Sequence, residues 1–506
     1  MSTNRIKNTV FNGISNLILN ISVAIISFAL RTLFIRTLGE QCLGLDGLFT
    51  NILSLLSLAE LGFSTSISFS LYKPLATNDV KKVNQLMTYF KKVYQKIGLF
   101  IFLFGLLILP FLKIIAKDYT IDYNIYVIYL LYLINTAVSY YISYITILIE
   151  ADQKLYKLTP IKFASNIITY GTQAISLVIF KNFIFYLLIQ FVFRMVERII
   201  IFLYIKKRYN NLDLKTKSDL DPETKCEISK NIKGIIFHKI GDYAVNGTDN
   251  MLISSIINIS TTGIYYNYVS ITAILKNIIA AIVNATTASF GNLNVTEDCN
   301  TKRNVFELIN FLCLFFSGIS VVGIYFCINP FISLWIGSNF LLDSFCVIVI
   351  CINLYLNSIL LPVDAVKSSS GLYYNDRFVP LIQSIINLMV SITLGIKFGL
   401  IGILLGTTIS GLLTVNLTKS YVIYKNLFNN SPVGYYLSIL KNVCCIILTI
   451  FIFKIILTVV NVNNNLIAII FYGFISVLLY IIAFTFVNFR TKEFKYFIGF
   501  LKKKTS

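Results

Sequence analysis

Apolar runs of about 20 residues recur along the whole chain, and short polar segments separate them. A helix needs roughly 20 apolar residues to cross a hydrocarbon core about 30 Å thick. Because a helix satisfies its backbone hydrogen bonds internally, this pattern predicts an all-α integral membrane protein with about fourteen transmembrane helices. The predicted spans cover residues 9–35, 42–72, 97–117, 122–150, 160–180, 182–205, 233–257, 262–291, 305–328, 333–366, 378–397, 399–424, 437–460 and 465–489.

The composition agrees with this class of protein. Hydrophobic residues make up 56% of the chain, charged residues only 13%, and the mean hydropathy is +0.76. Soluble domains carry about 25% charged residues, so a soluble globule is excluded. The net charge of +20 lies in the loops, where it indicates topology signals and contact with anionic headgroups rather than nucleic acid.

Lysines and arginines alternate between the loops on the two sides of the membrane. Loops after even-numbered spans and the C-terminal tail hold most of the 43 basic residues. Loops after odd-numbered spans hold only Arg36, Lys117, Lys181 and Lys397, with Lys113 close by. Since basic residues favour the cytoplasmic side, both termini are predicted to be cytoplasmic in a multi-pass protein.

The longest charged connection covers residues 206–233 and separates two blocks of six spans. Both blocks begin on the same side, which favours parallel repeats related by an axis along the membrane normal. The predicted organisation is an N-terminal six-helix bundle, a cytoplasmic linker, a C-terminal six-helix bundle, and two additional helices with a basic tail. The boundaries are 1–208, 209–231, 232–427 and 428–506.

Polar residues inside several spans share one helical face. Such residues are costly in hydrocarbon and normally face a bundle interior or a wet cavity. The stripes are Asn12, Asn16, Asn20, Ser27 and Arg31 in span 1; Gln190, Arg194, Glu197 and Arg198 in span 6; His238, Lys239, Asp242, Asn246, Asp249 and Asn250 in span 7; and Lys276, Asn277 and Asn284 in span 8. We expect these stripes to line a hydrated, net-positive cavity.

The charges in these stripes suggest two roles. A basic surplus attracts an anion, and the planar guanidinium suits phosphate oxygens. The candidate substrate-binding cations are Arg31, Arg194, Arg198, Lys239 and Lys276. The candidate ion-coupling residues are His238, Asp242, Asp249 and Glu60, because histidine and buried carboxylates can titrate near neutral pH.

Structural interpretations of the same residues stay open. Asparagines and serines often join membrane helices through hydrogen bonds. Arg194 and Glu197 have the spacing of an i, i+3 ion pair, and Arg31 or Lys276 has carboxylates within the spans to neutralise. Tyr265, Tyr266 and Tyr268 suit an interfacial aromatic belt better than stacking on sugars.

Other chemistry is not indicated. The nine cysteines form no CxxC pair, and with one histidine they predict no metal site. A Walker A motif is missing, so direct use of ATP is not expected. The short outer segment KDYTIDY is the longest candidate for a catalytic loop, which argues against an enzyme such as a polysaccharide polymerase or glycosyltransferase.

Several segments resemble a known family. These are RTLFIRTLGEQCLGLDGLFTNILSLLSLAELGFSTSISFSLYKPLATND, the DNMLISS segment of span 7, NPFISLWIG, and GLYYNDRFVPLIQSIINL. Together they resemble the Wzx-type oligosaccharide flippases of O-antigen, capsule and exopolysaccharide pathways. That family belongs to the MOP superfamily, with MATE drug exporters and lipid II flippases, and the resemblance covers about residues 5–430.

The resemblance implies two pseudo-symmetric six-helix bundles and no enzymatic activity. It implies transport of undecaprenyl-diphosphate-linked oligosaccharide from the inner to the outer leaflet of the bacterial cytoplasmic membrane by alternating access. The implied partners are this lipid-linked substrate, the bilayer, a polysaccharide polymerase and other assembly proteins. No cofactor is implied, and energy would come from the membrane potential or an H⁺ or Na⁺ gradient. The alternative is a MATE-like drug or metabolite antiporter, for which the basic cavity is less suitable.

Overall fold

The computed structural model describes residues 3–60, 63, 70–71, 74–75, 77–117, 119, 122–152, 154–210, 213, 220–222, 224, 245, 247–296, 298–370, 372, 376–460 and 465–496. Within these ranges, side chains are described except at 3–21, 24–25, 58–59, 284–289, 291–296 and 368. Throughout this part of the chain the regular structure is helical, as the sequence predicts.

Two compact units divide the chain, residues 1–263 (unit 1) and 264–506 (unit 2). The boundary lies after predicted span 7, because the described end of that span contacts unit 1. Ser254 donates to the Ile115 carbonyl at 2.6 Å, and Lys117 donates to the Ile256 carbonyl at 3.4 Å. The predicted boundary in the linker separates two sequence repeats, whereas the boundary between the two units separates groups of residues that contact one another. The repeat boundary stays a prediction.

The described residues of unit 1 before residue 210 include six α-helices of six or more residues. They are α1 (Thr3–Leu56), α2 (Val80–Ile108), α3 (Ile125–Ser143), the short α4 (Thr146–Ala151), α5 (Thr159–Phe180) and α6 (Phe183–Arg208). Helix α3 packs against α2 and α6, and α5 packs against α1 and α6. Asparagine caps begin two of them: Asn124 accepts from the Tyr126 N–H before α3, and Asn182 accepts from the Ile184 N–H before α6.

Helix α7 (Ile259–Thr296) begins in unit 1 and continues into unit 2. The later helices are α8 (Cys299–Trp335), α9 (Ser344–Ile359), α10 (Leu361–Ser370), α11 (Val379–Phe398), α12 (Leu400–Leu413), α13 (Val415–Asn426), α14 (Val433–Val459) and α15 (Asn465–Asn488). The last two helices both pack against α8.

Ten of the described helical segments are long and apolar enough to cross a membrane. Their outer surfaces keep large apolar side chains exposed, for example Leu107 at 64%, Ile396 at 71% and Phe474 at 69%. Such exposure suits contact with lipid and would be costly in water. The predicted fold class is confirmed, while the count of about fourteen spans stays a prediction.

Three predicted span boundaries are wrong. Helix α1 continues through the predicted connection 36–41 and bends only at Gly39, whose φ of 81° favours glycine. Helix α2 begins at Val80 rather than at 97, because Asp79 caps its first turn by accepting from the Lys82 N–H. Helix α8 extends to Trp335, and after a turn at Gly337, with φ of 110°, α9 begins at Ser344 rather than at 333.

The described part of the predicted linker contacts the start of α2 within unit 1. Asp221 forms an ion pair with Lys82 at the start of α2 and also accepts from the Thr224 hydroxyl. These hydrogen bonds, chiefly that from Lys82, hold the pKa of Asp221 well below its usual range.

Candidate functional site

A group of polar side chains connects α1, α3, α5 and α6 inside unit 1. We call it the unit 1 polar cluster and define it as Arg31, Asp46, Tyr132, Asn135, Ser165, Arg194, Glu197 and Arg198. Three of its members, Tyr132, Asn135 and Ser165, lie in helices long and apolar enough to cross a membrane, where unpaired polar atoms are costly.

The first part of the cluster joins α1 to α3. The Tyr132 hydroxyl on α3 donates to the Asp46 carboxylate on α1. Arg31 lies on α1 on the other side of the Gly39 bend, and its positive charge interacts with Asp46. The bend at Gly39 therefore lies between the segment of α1 that carries Arg31 and the segment that carries Asp46, and these opposite charges attract each other.

The second part joins α6 to α5. The Nη1 atom of Arg194 lies 2.8 Å from Oε2 of Glu197, which confirms the expected i, i+3 ion pair. Ser165 of α5 donates to the same carboxylate oxygen at 3.1 Å. Glu197 is only 9% exposed, so these two donors stabilise a largely buried charge.

Asn135 of α3 connects the two parts. It follows Tyr132 by three residues, so both side chains share one helix face. Its Oδ1 accepts from Nη1 of Arg198 at 3.4 Å. The cluster thus holds three guanidinium groups against two carboxylates, while the predicted hydrated, net-positive cavity lined by spans 1, 6, 7 and 8 stays a prediction.

Next to the cluster, α5 carries a buried polar stripe at helical spacing. Asn166, Thr169, Gln173 and Ser176 are 7%, 0%, 1% and 2% exposed. Gln173 donates to the Tyr186 carbonyl at 3.3 Å, and Thr169 donates to the Ser165 carbonyl at 2.7 Å. Among the described residues, Asn166 Oδ1 and Ser176 Oγ have no hydrogen-bond partner. Sequence reasoning missed this stripe, although the same test of helical spacing finds it.

The other predicted site residues lie elsewhere or outside the described residues. Glu60 accepts from the Tyr94 hydroxyl at 2.9 Å. Asp249 is buried in unit 1, and Lys276 is half-buried on α7 in unit 2. His238, Lys239 and Asp242 lie outside the described residues, as do the side chains of Asn12, Asn16 and Asn20.

Asp46 is a member of the cluster that sequence reasoning missed. Its signal was a carboxylate within the long apolar run of predicted span 2. One structural interpretation of Arg31 is that it neutralises a carboxylate within the spans, and the structure gives it Asp46 as an electrostatic neighbour.

The outer tyrosines have structural contacts. Tyr268 is 0% exposed, donates to Asn329 Oδ1 at 2.7 Å, and accepts from the Leu342 N–H at 2.8 Å. A fully buried ring cannot stack on a sugar, so that role is excluded for Tyr268 in this structure.

The unit 1 polar cluster suits an anion rather than a metal ion. Guanidinium groups donate to phosphate oxygens, and the carboxylates hold them in position. In the part of the chain that the structure describes, no group of three or more His, Cys, Asp or Glu side chains could hold a metal ion.

No protein-family model and no curated protein matches the chain. Its structure is similar to that of the lipid II flippase MurJ in an inward closed conformation, with a TM-score of 0.68 and 17% identity over 94% of this chain and 98% of that one. An inward-facing multidrug resistance MATE family transporter of the MOP superfamily gives 0.57 and 12% identity over 78% and 96%. A mutant of the Vibrio cholerae MATE transporter VcmN gives 0.58 and 12% identity over 84% and 99%. The chain therefore has the fold that these flippase and MOP superfamily transporter structures share.

Proposed function

We propose that the chain is a flippase that moves an undecaprenyl-diphosphate-linked oligosaccharide from the inner to the outer leaflet of the bacterial cytoplasmic membrane. The glycan would then enter surface polysaccharide biosynthesis, as in the Wzx-type family that the sequence resembles. The observation that carries the proposal is the unit 1 polar cluster, in which three arginines exceed two carboxylates among apolar helices. The fold shared with a lipid II flippase supports the same class of substrate.

The proposed chemistry follows from the residues of the cluster. Arg31, Arg194 and Arg198 would replace part of the water around the diphosphate, since guanidinium groups form paired hydrogen bonds with phosphate oxygens. Glu197 binds Arg194 and Asp46 attracts Arg31, so these two carboxylates would hold the guanidinium groups in position for the diphosphate. Lys239 and Lys276 are proposed as further cations, and the polyprenyl chain would remain in lipid while the protein alternates between access to the two sides.

Energy is proposed to come from the membrane rather than from ATP. Outward movement of an anion is favoured by about 2.3 kcal/mol per charge for each 100 mV. A counter-moving H⁺ or Na⁺ would add to this through His238, Asp242, Asp249 or Glu60. The chain is accordingly proposed not to be an enzyme.

An ion-coupled drug or metabolite antiporter is the second candidate. Similarity to MATE transporters favours it, because those structures share the fold at TM-scores of 0.57 and 0.58. The positive surplus of the unit 1 polar cluster is less suited to a cationic drug than to an anion.

The test is a flipping assay with the full chain in liposomes, using undecaprenyl diphosphate that carries a fluorescently labelled hexose. We expect Arg31→Ala, Arg198→Ala and Asp249→Asn each to slow flipping at least about tenfold, since a hydrogen bond to a charged group contributes roughly 1.5–3 kcal/mol. Arg36→Ala is the matched control, because Arg36 is an exposed arginine on the same helix α1.

Surface polysaccharide in cells provides the second measurement, with membrane insertion checked for every variant. Normal flipping and normal polysaccharide in all three variants would remove these residues from the mechanism. Export of a cationic dye without flipping would instead favour the antiporter.

A further inference from the structure

An open cleft of about 430 Å³ lies at the end of α6, outside the unit 1 polar cluster. Its lining is Asp152, Lys154, Tyr204, Lys207, Arg208 and Tyr209, and we call it the basic cleft. The volume lies within the range of about 300–1,000 Å³ that is typical of ligand sites. The alternation of basic residues predicts that this end of unit 1 is cytoplasmic.

The carboxylate of Asp152 binds two other residues of the basic cleft. Lys154 Nζ lies 2.6 Å from Asp152 Oδ2, and the Tyr209 hydroxyl donates to the same oxygen at 2.5 Å. Burial, together with the hydrogen bond to Asp152, raises the pKa of Tyr209 above its usual value, so its hydroxyl stays protonated. Asp152 therefore fixes one cation and one aromatic ring against the end of α6.

Cations exceed carboxylates around the basic cleft. Lys207 and Arg208 are exposed side chains of the last turn of α6, and Lys157 interacts electrostatically with both Arg208 and Lys154. Four positive groups thus surround the single carboxylate of Asp152. Because like charges repel at this range, a bound anion would stabilise the arrangement.

Two general effects explain only part of this charge. The partial negative charge at the C-terminus of a helix favours cations in the last turn of α6, and cytoplasmic loops are basic in any case. Neither effect requires Lys154, from a different segment, to meet Lys207 and Arg208 around one cleft. The convergence of separate segments is what indicates a site.

The cleft lies where the apolar surface of α6 ends. Ile199, Ile200 and Leu203 are 49%, 46% and 58% exposed, and Tyr204, Lys207 and Arg208 follow directly. Tyrosine and basic residues are enriched at the level of lipid headgroups. We therefore expect the cleft to lie at the depth at which lipid phosphates are found.

We propose that the basic cleft binds the phosphate of a lipid headgroup at the predicted cytoplasmic surface. Lys207 and Arg208 donate to the phosphate oxygens, Lys154 adds charge, and Tyr204 packs beside the headgroup. The lipid is either an anionic phospholipid of the bilayer or a lipid diphosphate, since both present the same oxygens. This inference does not depend on the transport proposal.

The test uses the full chain in detergent, with phosphatidylglycerol and inorganic diphosphate as probes and phosphatidylcholine as the zwitterionic reference. Native mass spectrometry counts retained lipid, and calorimetry measures diphosphate binding. We expect Lys207→Gln and Arg208→Gln each to weaken binding about fivefold, from roughly 1 kcal/mol per basic residue at a headgroup surface. Lys206→Gln is the matched control: Lys206 is exposed in the same turn but does not line the cleft.

The two probes separate the sources of the phosphate. Binding of phosphatidylglycerol that depends on Lys207 identifies a bilayer phospholipid, whereas binding of diphosphate alone identifies a lipid diphosphate. Equal losses in the Lys206→Gln and Lys207→Gln variants would reduce the effect to general surface charge and overturn the proposal. Failure of both probes to bind the unmodified chain would overturn it as well.

Discussion

At the residue scale, the most buried charge in the described part of the chain is Lys367. It is 1% exposed, and its Nζ lies 2.5 Å from both carboxylate oxygens of Asp376, which is 4% exposed. A second ion pair joins Nζ of Lys419 on α13 to Oδ1 of Asp364 on α10 at 3.0 Å. The side chain of Asp364 is exposed. A buried ion pair gains little over an apolar pair, but removal of one partner leaves an uncompensated charge.

We predict that Lys367→Met destabilises the protein by about 3–5 kcal/mol, because the buried carboxylate of Asp376 then loses the cation that lies 2.5 Å from it. The double variant Lys367→Met/Asp376→Leu should recover most of that loss, since both charges are then absent. Thermal unfolding in detergent, followed by fluorescence, measures both changes.

Arg303→Met is the matched control for this prediction. Arg303 forms an i, i+4 pair with Glu307 at 2.7 Å, and both side chains are partly exposed. Such pairs contribute about 0.2–0.5 kcal/mol, so little change is expected. Equal destabilisation by Arg303→Met and Lys367→Met would show that burial does not determine the effect.

At the element scale, glycines set how closely some helices approach. Gly399, with φ of 61°, joins α11 to α12, and the two helices then pack along their length. A Cβ atom at Gly406 would overlap the backbone and side chain of Ser391, and one at Gly402 would overlap the Leu394 carbonyl. Small residues at such contacts allow close packing, which is a main source of helix association in lipid.

We predict that Gly406→Ala destabilises unit 2 by about 1–3 kcal/mol, because α11 and α12 must separate to admit the methyl group. Gly171→Ala is the control, since a Cβ atom there meets nothing within 4 Å. Alanine is also the better helix former, so Gly171→Ala should be neutral or stabilise by up to about 1 kcal/mol. Thermal unfolding of the two variants is the measurement, and an equal effect would contradict the packing account.

A buried amide on α14 connects α14 and α15 to other helices of unit 2. Asn442 of α14 is 2% exposed, donates to the Leu314 carbonyl at 3.1 Å and to the Tyr480 hydroxyl at 2.9 Å, and accepts from the Tyr355 hydroxyl at 3.2 Å. One residue therefore connects α8, α9, α14 and α15. The two additional helices are a packed part of unit 2 rather than a loose appendage.

We predict that Asn442→Leu lowers the free energy of unfolding by about 1–3 kcal/mol, since it leaves the Leu314 carbonyl and two buried hydroxyls with fewer hydrogen bonds. Limited proteolysis after Phe428 should also become faster, as α14 and α15 detach more readily. Lys441→Gln, at the exposed neighbouring position, should change stability by no more than about 0.5 kcal/mol. Unchanged proteolysis in the Asn442→Leu variant would argue against this anchoring role.

At the scale of the whole molecule, topology is the property that charge predicts most directly. The C-terminal tail adds several lysines beyond α15, and the N-terminus begins with Arg5 and Lys7. We predict that both termini are cytoplasmic, so a fluorescent protein fused to either end should fluoresce and alkaline phosphatase should be inactive there. The opposite pattern at one end would require an odd number of spans.

The proposed transport also predicts a dependence on membrane potential. If the diphosphate crosses with its charge, a potential that is negative inside should speed outward flipping, because each charge gains about 2.3 kcal/mol per 100 mV. The measurement is flipping in liposomes with potassium gradients and valinomycin, with and without an added Na⁺ or H⁺ gradient. Flipping that ignores both the potential and the gradients would contradict this energy source.

The sequence by itself determined the fold class and most helix positions. A helix in lipid must be apolar over its own length and must satisfy its own backbone, so each span is a local property of the chain. For this reason α5 was predicted at 160–180 and found at Thr159–Phe180, and α15 was predicted at 465–489 and found at Asn465–Asn488. Helix α2 was predicted too short because its first turns are polar and lie outside any apolar run.

Only the tertiary structure decided which polar residues meet. The sequence placed Arg194, Glu197 and Arg198 on one face because their spacing is local, but the partners come from distant segments. Tyr132 and Asp46 are 86 positions apart, and Arg198 and Asn135 are 63 apart. Such contacts depend on how helices pack, and side-chain periodicity within one helix carries no record of its neighbours. For the same reason, the sequence predicts Lys154 and Arg208 only as basic loop residues. The tertiary structure shows that both line the basic cleft.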